Sequence, residues 1–364
     1  MLRFSILHTR LAWVVLALFP IWAWGQGGAG GWLLSPPGGA TGQRAMSGAA
    51  LVAAKGALAL GGNPAEVASL RGLALFASGD FSLSTEKTRW GTQTRFLARP
   101  QLSVAWRLPE GFAVGFAYGR GELLARDTDA EEAPSRHIAL HRLLLNAAWE
   151  VTPGFRLGVE LQLATTENAS WALEGGGDSW RGGRWAGATR AGFSVDIIPK
   201  QWTLALVWEE GLSLASRGGV LARLKTPHSV ALATWVGSIG AWEFEVDLVY
   251  GWQRTWAEAG GSLQAYEDTW GLRTGLGLWL TPVIQLRAGG AVWVHTQPRR
   301  ASWLQPMDVW SSSLSVGALW RYGPLRVEAA WQMVGGFESS EAAQLEARQR
   351  LSHVLSLGAG WSFD

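Results

Sequence analysis

Apolar and polar residues alternate with a period of two along most of the chain from about residue 71 onward, which is typical of β-strands with one apolar and one polar face. The pattern is clearest at residues 242–253, where Trp242 and Phe244 share one face and Glu243 and Glu245 share the other. A membrane-spanning strand needs about 9–11 residues, whereas globular strands cluster near about 5 or 6, and these segments are long. The candidate strands number fourteen and cover residues 71–84, 94–108, 112–125, 136–151, 155–166, 184–197, 201–214, 223–237, 241–255, 266–280, 284–297, 309–321, 325–336 and 351–363.

The links between these segments alternate between tight turns and longer polar stretches. Tight turns follow every second segment, as at Pro109-Glu110-Gly111 and Thr281-Pro282. The intervening links are mostly longer, as at residues 126–135 and 167–183. An even number of strands with short turns on one side and long loops on the other is typical of bacterial outer-membrane barrels. The sequence therefore predicts an all-β fold, a 14-stranded antiparallel transmembrane β-barrel.

Composition supports a membrane barrel over the alternatives. Charged residues make up only 16% of the chain, yet its mean hydropathy of +0.07 is too low for several apolar helical spans. A soluble β-sandwich would also alternate, but its core could not absorb many of the 24 tryptophans. Several tryptophans, including Trp106, Trp149 and Trp270, lie near strand ends, where they would form the aromatic girdles of a barrel. With no cysteine, disulfides and thiolate metal sites are excluded.

The first 70 residues differ from the rest. Residues 1–25 have the basic start, short apolar stretch and small-residue end of a signal peptide. Residues 26–70 are rich in glycine and alanine, and we expect a short apolar helix at about 45–60 that ends at Gly61-Gly62. Its apolar face needs cover, and the barrel lumen is the available volume. We therefore divide the chain into a signal peptide (1–25), a plug or hatch (26–70) and a barrel (71–364).

The segment before the first strand resembles the amino-terminal hatch of FadL-type transporters. The resemblance is carried by Gly42-x-Arg44-Ala45, the alanine and glycine residues that follow, and Asn63-Pro64-Ala65. It implies a barrel with a luminal hatch that takes up long-chain fatty acids or other hydrophobic molecules across the outer membrane. It also implies a ligand pocket at the hatch, for which the candidate residues are Arg44, Met46, Leu51, Asn63, Pro64 and Ala65.

The chain departs from the family pattern in three places. The loop at 167–183 and the link near 215–222 are short. In FadL-type proteins the corresponding loops form the external groove that captures ligand, so the resemblance does not extend to this groove. The terminal aromatic residue expected of an assembly signal, Phe363, is displaced by one position. PorV-type secretion components share the hatch pattern and bind cargo proteins, so a secretion or cargo-binding barrel is the alternative function. A general porin fits less well because a plugged lumen should not conduct steadily.

Charged residues on the polar face of the strands should point into the lumen, where most of them would neutralise one another and hold the hatch. Candidates are Arg107, Arg142, Arg156, Glu160 and Glu245, and an arginine there could also bind a ligand carboxylate through two parallel hydrogen bonds. Gly115, Gly119 and Gly121 lie on one face of the third strand, and glycine in a strand often marks a bend. In FadL-type proteins this strand kinks and opens the wall sideways, so these glycines either form a lateral opening or accommodate the hatch.

The sequence offers no enzyme signature. His137 and His141 would lie about 13 Å apart on a strand that rises roughly 3.3 Å per residue, which is too far to share a metal ion. We expect no catalytic residue, metal or cofactor, and no nucleic-acid partner. The expected partners are outer-membrane lipids, a hydrophobic small molecule and the barrel-assembly machinery, and we expect a monomer.

Overall fold

The computed structural model describes residues 45–88, 91–125, 136–166, 169–173, 176–180, 183, 185–215, 223–225, 228–239, 241–252, 257–259, 262–264, 269–295, 310–338 and 348–363. Within these residues fourteen antiparallel strands form a closed barrel, which confirms the predicted fold class. Each strand pairs with its neighbour in sequence, and the first pairs with the last from Leu73↔Phe363 to Lys87↔Gln349. No described helix has the length and apolar character needed to cross a membrane. The predicted signal peptide and the first part of the predicted hatch lie outside the described residues.

The barrel strands are numbered here in chain order. They are β1 (Leu73–Thr88), β2 (Gly91–Arg107), β3 (Phe112–Ala125), β4 (Arg136–Thr152), β5 (Phe155–Thr166), β6 (Ala186–Ile198), β7 (Trp202–Glu209), β8 (His228–Ile239), β9 (Trp242–Trp252), β10 (Thr269–Thr281), β11 (Ile284–His295), β12 (Trp310–Tyr322), β13 (Leu325–Glu338) and β14 (Arg348–Phe363). All fourteen overlap the predicted segments. Short two-stranded hairpins were not predicted and lie in three of the longer links, at Ala169–Leu173 with Gly176–Trp180, Ser213–Ala215 with Arg223–Lys225, and Ala257–Ala259 with Ser262–Gln264.

The two faces of the barrel wall differ as the alternation predicts. Large apolar side chains such as Leu102, Val159 and Leu248 are exposed on the outside, whereas their strand neighbours are buried inside. Exposed aromatic residues also lie toward the strand ends, as Trp106 and Trp270 do. An apolar outer face is typical of a membrane-spanning barrel. The sheet is closed because lipid cannot hydrogen-bond to an open backbone edge.

Residues 45–70, here called the hatch, lie inside the barrel but do not form the predicted helix over residues 45–60. After Ala45, which is α-helical, the hatch contains only short 3₁₀ helices, at Gly56–Ala59 and Pro64–Ser69, with turns before them. A third 3₁₀ helix, Pro109–Gly111, forms a turn between β2 and β3. Left-handed backbone at Ser47, Gly48 and Gly56, with φ of 51°, 87° and 59°, interrupts any right-handed helix. The predicted single helix is therefore wrong.

Candidate functional site

The hatch packs directly onto inward-facing glycines of the barrel wall. A Cβ atom on Gly158 would lie 2.4 Å from the carbonyl carbon of Pro64, and one on Gly192 would lie 2.3 Å from Oδ1 of Asn63. A Cβ atom on Gly289 would likewise lie 2.2 Å from the backbone of Met46. Only glycine permits these approaches, so the wall is shaped to the path of the hatch backbone.

The predicted pocket residues lie at two different parts of the wall. Met46 contacts β10 and β11, and Leu51 packs with Val207 and Val249. Asn63, Pro64 and Ala65 form a turn in which the Asn63 side chain accepts a hydrogen bond from the Ala65 amide at 3.1 Å. This turn rests on β5 and β6, and the amide of Asn146 donates to the Pro64 carbonyl at 3.4 Å. Arg44 lies outside the described residues.

Polar contacts hold the second part of the hatch, residues 56–70. The Gly61 amide donates to Glu160 at 3.0 Å. Glu66, which is fully buried, pairs with Arg156 at 3.2 Å and with Lys55. Arg107 donates to the carbonyl of Ala68, at the approach to β1. This part of the hatch is therefore attached to the wall through β2 and β5.

A second group of contacts holds the first part, residues 45–53. Glu245 is fully buried and accepts hydrogen bonds from the amides of Val52 at 2.7 Å and Ala53 at 2.9 Å. Arg273 donates to the Gly48 carbonyl at 3.2 Å, and the hydroxyl of Ser47 lies 2.8 Å from that of Ser315. The first part of the hatch is therefore attached to β9, β10 and β12, away from the second part.

The predicted luminal charges all lie on the inner wall, and most contact other protein groups there. Arg190 pairs with Glu160 at 2.6 Å and with Glu209 at 2.9 Å, and Arg107 pairs with Glu150 at 2.9 Å. Arg156 also pairs with Asp196, at 2.7 Å. Arg142 is buried on β4. Arg107, Arg156 and Glu160 thus lie in ion pairs within the lumen.

One sector of the lumen is apolar. Leu58, Leu60 and Val67 of the hatch pack against apolar wall residues of β1 to β4. The wall residues of this sector are Phe76, Ala105, Ala113, Ala117, Leu144 and Ala148. All of them are buried. An uncharged molecule between hatch and wall would meet the lowest desolvation cost in this sector, because the paired charges lie mainly elsewhere.

The wall beside this sector contains an interrupted ladder. β2 and β3 pair from Arg107↔Ala113 to Gln101↔Gly119 and no further. Residues 91–100 of β2 continue to pair with β1, and residues 120–125 of β3 continue to pair with β4. We call this unpaired region the β2–β3 break. Among the fourteen ladders of the described barrel strands, it is the only one in which both strands run on for more than one residue past the last pair.

Pro100 explains where the ladder stops. Successive amides of a strand point alternately to its two neighbours. Arg107 donates toward the β1 side, to Gly72 at 2.8 Å, and Leu108 donates toward β3, to Phe112 at 2.7 Å. Even-numbered residues of β2 therefore direct their amides to β3, since the β1–β2 register has no shift. Pro100 has no amide hydrogen, so the donor that would extend the ladder past Gln101 is missing.

The three glycines of β3 have different surroundings. Gly115 lies inside the paired ladder, and a Cβ atom there would lie 2.7 Å from Cδ2 of Leu60, so it accommodates the hatch. Gly119 is the last paired residue, and Gly121 lies beyond it. Only Gly119 and Gly121 are therefore placed at the break. Pro100 was missed from the sequence, although a proline inside a strand is itself a signal of an unpaired edge.

His137 and His141, which the sequence analysis judged too far apart to share a metal ion, both lie on β4. His141 faces the outside of the barrel, where its Nδ1 lies 2.8 Å from the hydroxyl of Tyr118. The side chain of His137 lies outside the described residues. No group of three His, Cys, Asp or Glu side chains able to hold a metal ion is found in the described part of the chain.

Comparisons with known proteins agree with this architecture. No protein-family model and no curated protein matches the sequence. Among solved structures, the CymD monoaromatic hydrocarbon channel is 15% identical, with a TM-score of 0.69 over 91% of this chain and 98% of that one. A FadL homologue from Pseudomonas aeruginosa is 15% identical, with a TM-score of 0.68 over 93% and 99%. The toluene transporter TodX from Pseudomonas putida is 14% identical, with a TM-score of 0.63 over 91% and 99%.

These similarities confirm the predicted resemblance to FadL-type barrels for the fold. The solved neighbours are transport channels, not enzymes. At 14–15% sequence identity this likeness shows the fold alone.

Proposed function

We propose that this protein is an outer-membrane channel for the passive uptake of hydrophobic molecules, such as long-chain fatty acids or monoaromatic hydrocarbons. The ligand passes from the lumen into the membrane through the β2–β3 break. The observation that carries the proposal is the ladder that ends at Gln101↔Gly119 although both strands continue. Lipid cannot hydrogen-bond to open strand edges, so an interruption that begins within the apolar belt has a free-energy cost, from which we infer that it serves a function.

The lumen beside the break supports the same function. Its apolar sector reaches Ala117, two positions from Gly119. A hydrophobic molecule that moves from between hatch and wall to the break would pass the buried Arg142, the β4 partner of Gly119, but not the ion pairs of Arg190 or Arg156. The hatch occupies part of the lumen and packs against the wall at two places, which favours a sideways exit over a continuous aqueous pore.

The solved neighbours support the ligand class. CymD is named as a monoaromatic hydrocarbon channel and TodX as a toluene transporter. In our proposal the bound ligand occupies the apolar sector near Leu60 and the Asn63-Pro64-Ala65 turn. The proposed location is the bacterial outer membrane, where the barrel-assembly machinery would insert the chain. Within the proposal the protein needs no cofactor.

The proposal is tested by exchange of ligand between purified protein and lipid vesicles. Labelled oleate and labelled toluene should both be offered, because either satisfies the proposed class. Replacing Pro100 with valine restores an amide directed at β3, so the ladder should extend and transfer of ligand into the membrane should fall. Ala98→Val is the matched control, since it enlarges a neighbouring residue of β2 without adding a donor.

Each outcome has a defined meaning. Saturable binding and transfer by the native protein, with a loss in Pro100→Val and none in Ala98→Val, supports sideways uptake. Binding without sensitivity to either variant removes the break from the route. If neither ligand binds, the uptake function fails, and co-purification of a secreted protein would then favour the PorV-type alternative.

A further inference from the structure

We propose that Tyr118, Arg120 and His141 form a binding site for the phosphate group of an outer-leaflet glycolipid, at the lipid-facing edge of the β2–β3 break. Here these residues are called the rim cluster. The inference rests on the proposed function only for the orientation of the barrel in the outer membrane.

The rim cluster faces lipid. Along β3 the even-numbered residues Phe112, Val114 and Phe116 are exposed, and the odd-numbered Ala113 and Ala117 are buried. The β3–β4 register runs from Phe112↔Trp149 to Ala125↔Arg136 without a shift. Tyr118 and Arg120 therefore continue the outward face of β3. His141 lies on the outward face of β4, between the buried Leu140 and Arg142.

The three side chains are neighbours on this face. Arg120 and His141 are directly opposite partners in the β3–β4 ladder. The hydroxyl of Tyr118 lies 2.8 Å from Nδ1 of His141, and the two rings are stacked with centroids 6.1 Å apart. The contact with Tyr118 fixes the imidazole beside Arg120. Because the phenol and the imidazole share one hydrogen bond, the pair leaves one N–H or O–H donor for an anion, beside the donors of the Arg120 guanidinium.

The depth of the cluster matches a headgroup. The stacked Phe112 and Trp149 rings, with centroids 5.2 Å apart, lie at the turn end of the same two strands. Arg120 is eight residues farther along β3, which corresponds to about 20 Å across the membrane for a strand rising roughly 3.3 Å per residue and tilted by about 40°. The apolar belt of such barrels is about 25 Å tall. Arg120 therefore lies near the interface opposite the turns, where lipid phosphates are found.

Charge complementarity identifies the ligand. Among barrel-strand residues whose side chains are described, Arg120 is the only arginine or lysine on the lipid-facing side. Guanidinium groups bind phosphate through paired, planar hydrogen bonds. A bound headgroup would lie next to Gly121, at the inner end of the break.

The test measures retention of glycolipid by the detergent-purified full-length protein, using native mass spectrometry. The probes are diphosphorylated lipid A and the same lipid A after enzymatic removal of both phosphates. We expect retention of the phosphorylated probe only, and a loss of about tenfold or more in Arg120→Gln because a paired charged contact is removed. Arg71→Gln, which changes an exposed arginine at the opposite end of the barrel, should retain it fully.

Two further measurements keep the result interpretable. Arg120→Lys keeps the charge without the paired geometry, so its lipid retention should fall between that of the native protein and that of Arg120→Gln. Folding of each variant is checked by the resistance of the barrel to unfolding by detergent at room temperature. Equal retention of both probes, or unchanged retention by a folded Arg120→Gln, overturns the proposal. Displacement of the phosphorylated probe by oleate would instead assign the rim to a ligand carboxylate. Lipid retention is measured without uptake, so failure of the uptake function would be seen separately.

Discussion

Replacing Glu245 with alanine should release the first part of the hatch from the wall. The carboxylate accepts two amide hydrogen bonds, at 2.7 Å and 2.9 Å, from Val52 and Ala53. A hydrogen bond to a charged group contributes about 1.5–3 kcal/mol, so the pair contributes roughly 3–6 kcal/mol before any replacement by water. The lower figure already corresponds to an about 100-fold change in the equilibrium between attached and released hatch.

The chain is well suited to measuring this change because it contains no cysteine. Ser47→Cys introduces a single thiol at a position that is only 5% exposed. Its rate of reaction with a water-soluble maleimide should rise about 100-fold when Glu245→Ala is added. Glu243→Ala is the matched control: Glu243 lies on the same inner face of β9 but bonds to Trp279, at 2.6 Å, and not to the hatch. Equal labelling with and without Glu245, or an equal rise in Glu243→Ala, would refute the reasoning.

Three further predictions follow from the wall contacts. Gly158→Val places its Cβ 2.4 Å from Pro64, so the Asn63-Pro64-Ala65 turn should move and a cysteine at the buried Ala65 should become reactive to maleimide. Arg190→Ala leaves the buried Glu160 without its ion-pair partner, and the free energy of unfolding in lipid vesicles, measured by urea titration, should fall by about 3–5 kcal/mol. Leu248→Arg places a charge on the lipid-facing side of β9, where the same titration should show a loss of about 2–4 kcal/mol if the site is near the bilayer midplane; no loss would mean that this face does not contact lipid.

The barrel was largely predictable because its signal is local and repeated. Alternation fixes which face of a strand meets lipid, and tight turns such as Thr152-Pro153-Gly154 fix where strands end. The hairpin strands in the longer links are only three to five residues long. Alternation of apolar and polar residues over so few positions does not identify a strand, so these hairpins were not predicted. In the same way the inward direction of Arg190 could be predicted, whereas its pairing with Glu160 and Glu209 depends on the register of three different strands.

The hatch was less predictable because tertiary contacts determine its conformation. Its alanine-rich sequence favours a helix locally. The left-handed backbone at Ser47 and Gly56 and the close contacts with wall glycines instead determine a non-helical backbone conformation. The break was predicted only in part. Gly119 and Gly121 suggested an opening on β3, but the role of Pro100 depends on which neighbour its missing amide would face, and that requires the strand pairing.

The central claim, that hydrophobic ligand leaves through the β2–β3 break, is tested most directly by closing the break covalently. If the Gln101↔Gly119 register continued, Ala98 would lie opposite Glu122, so Ala98→Cys with Glu122→Cys provides a pair to join across it in a chain that has no other cysteine. Leu75→Cys with Val104→Cys joins two partners of the intact β1–β2 ladder and serves as the control. We predict that oxidation stops ligand transfer in the first variant but not in the second, and that reduction restores it. Undiminished transfer through the oxidised, cross-linked break would contradict the account.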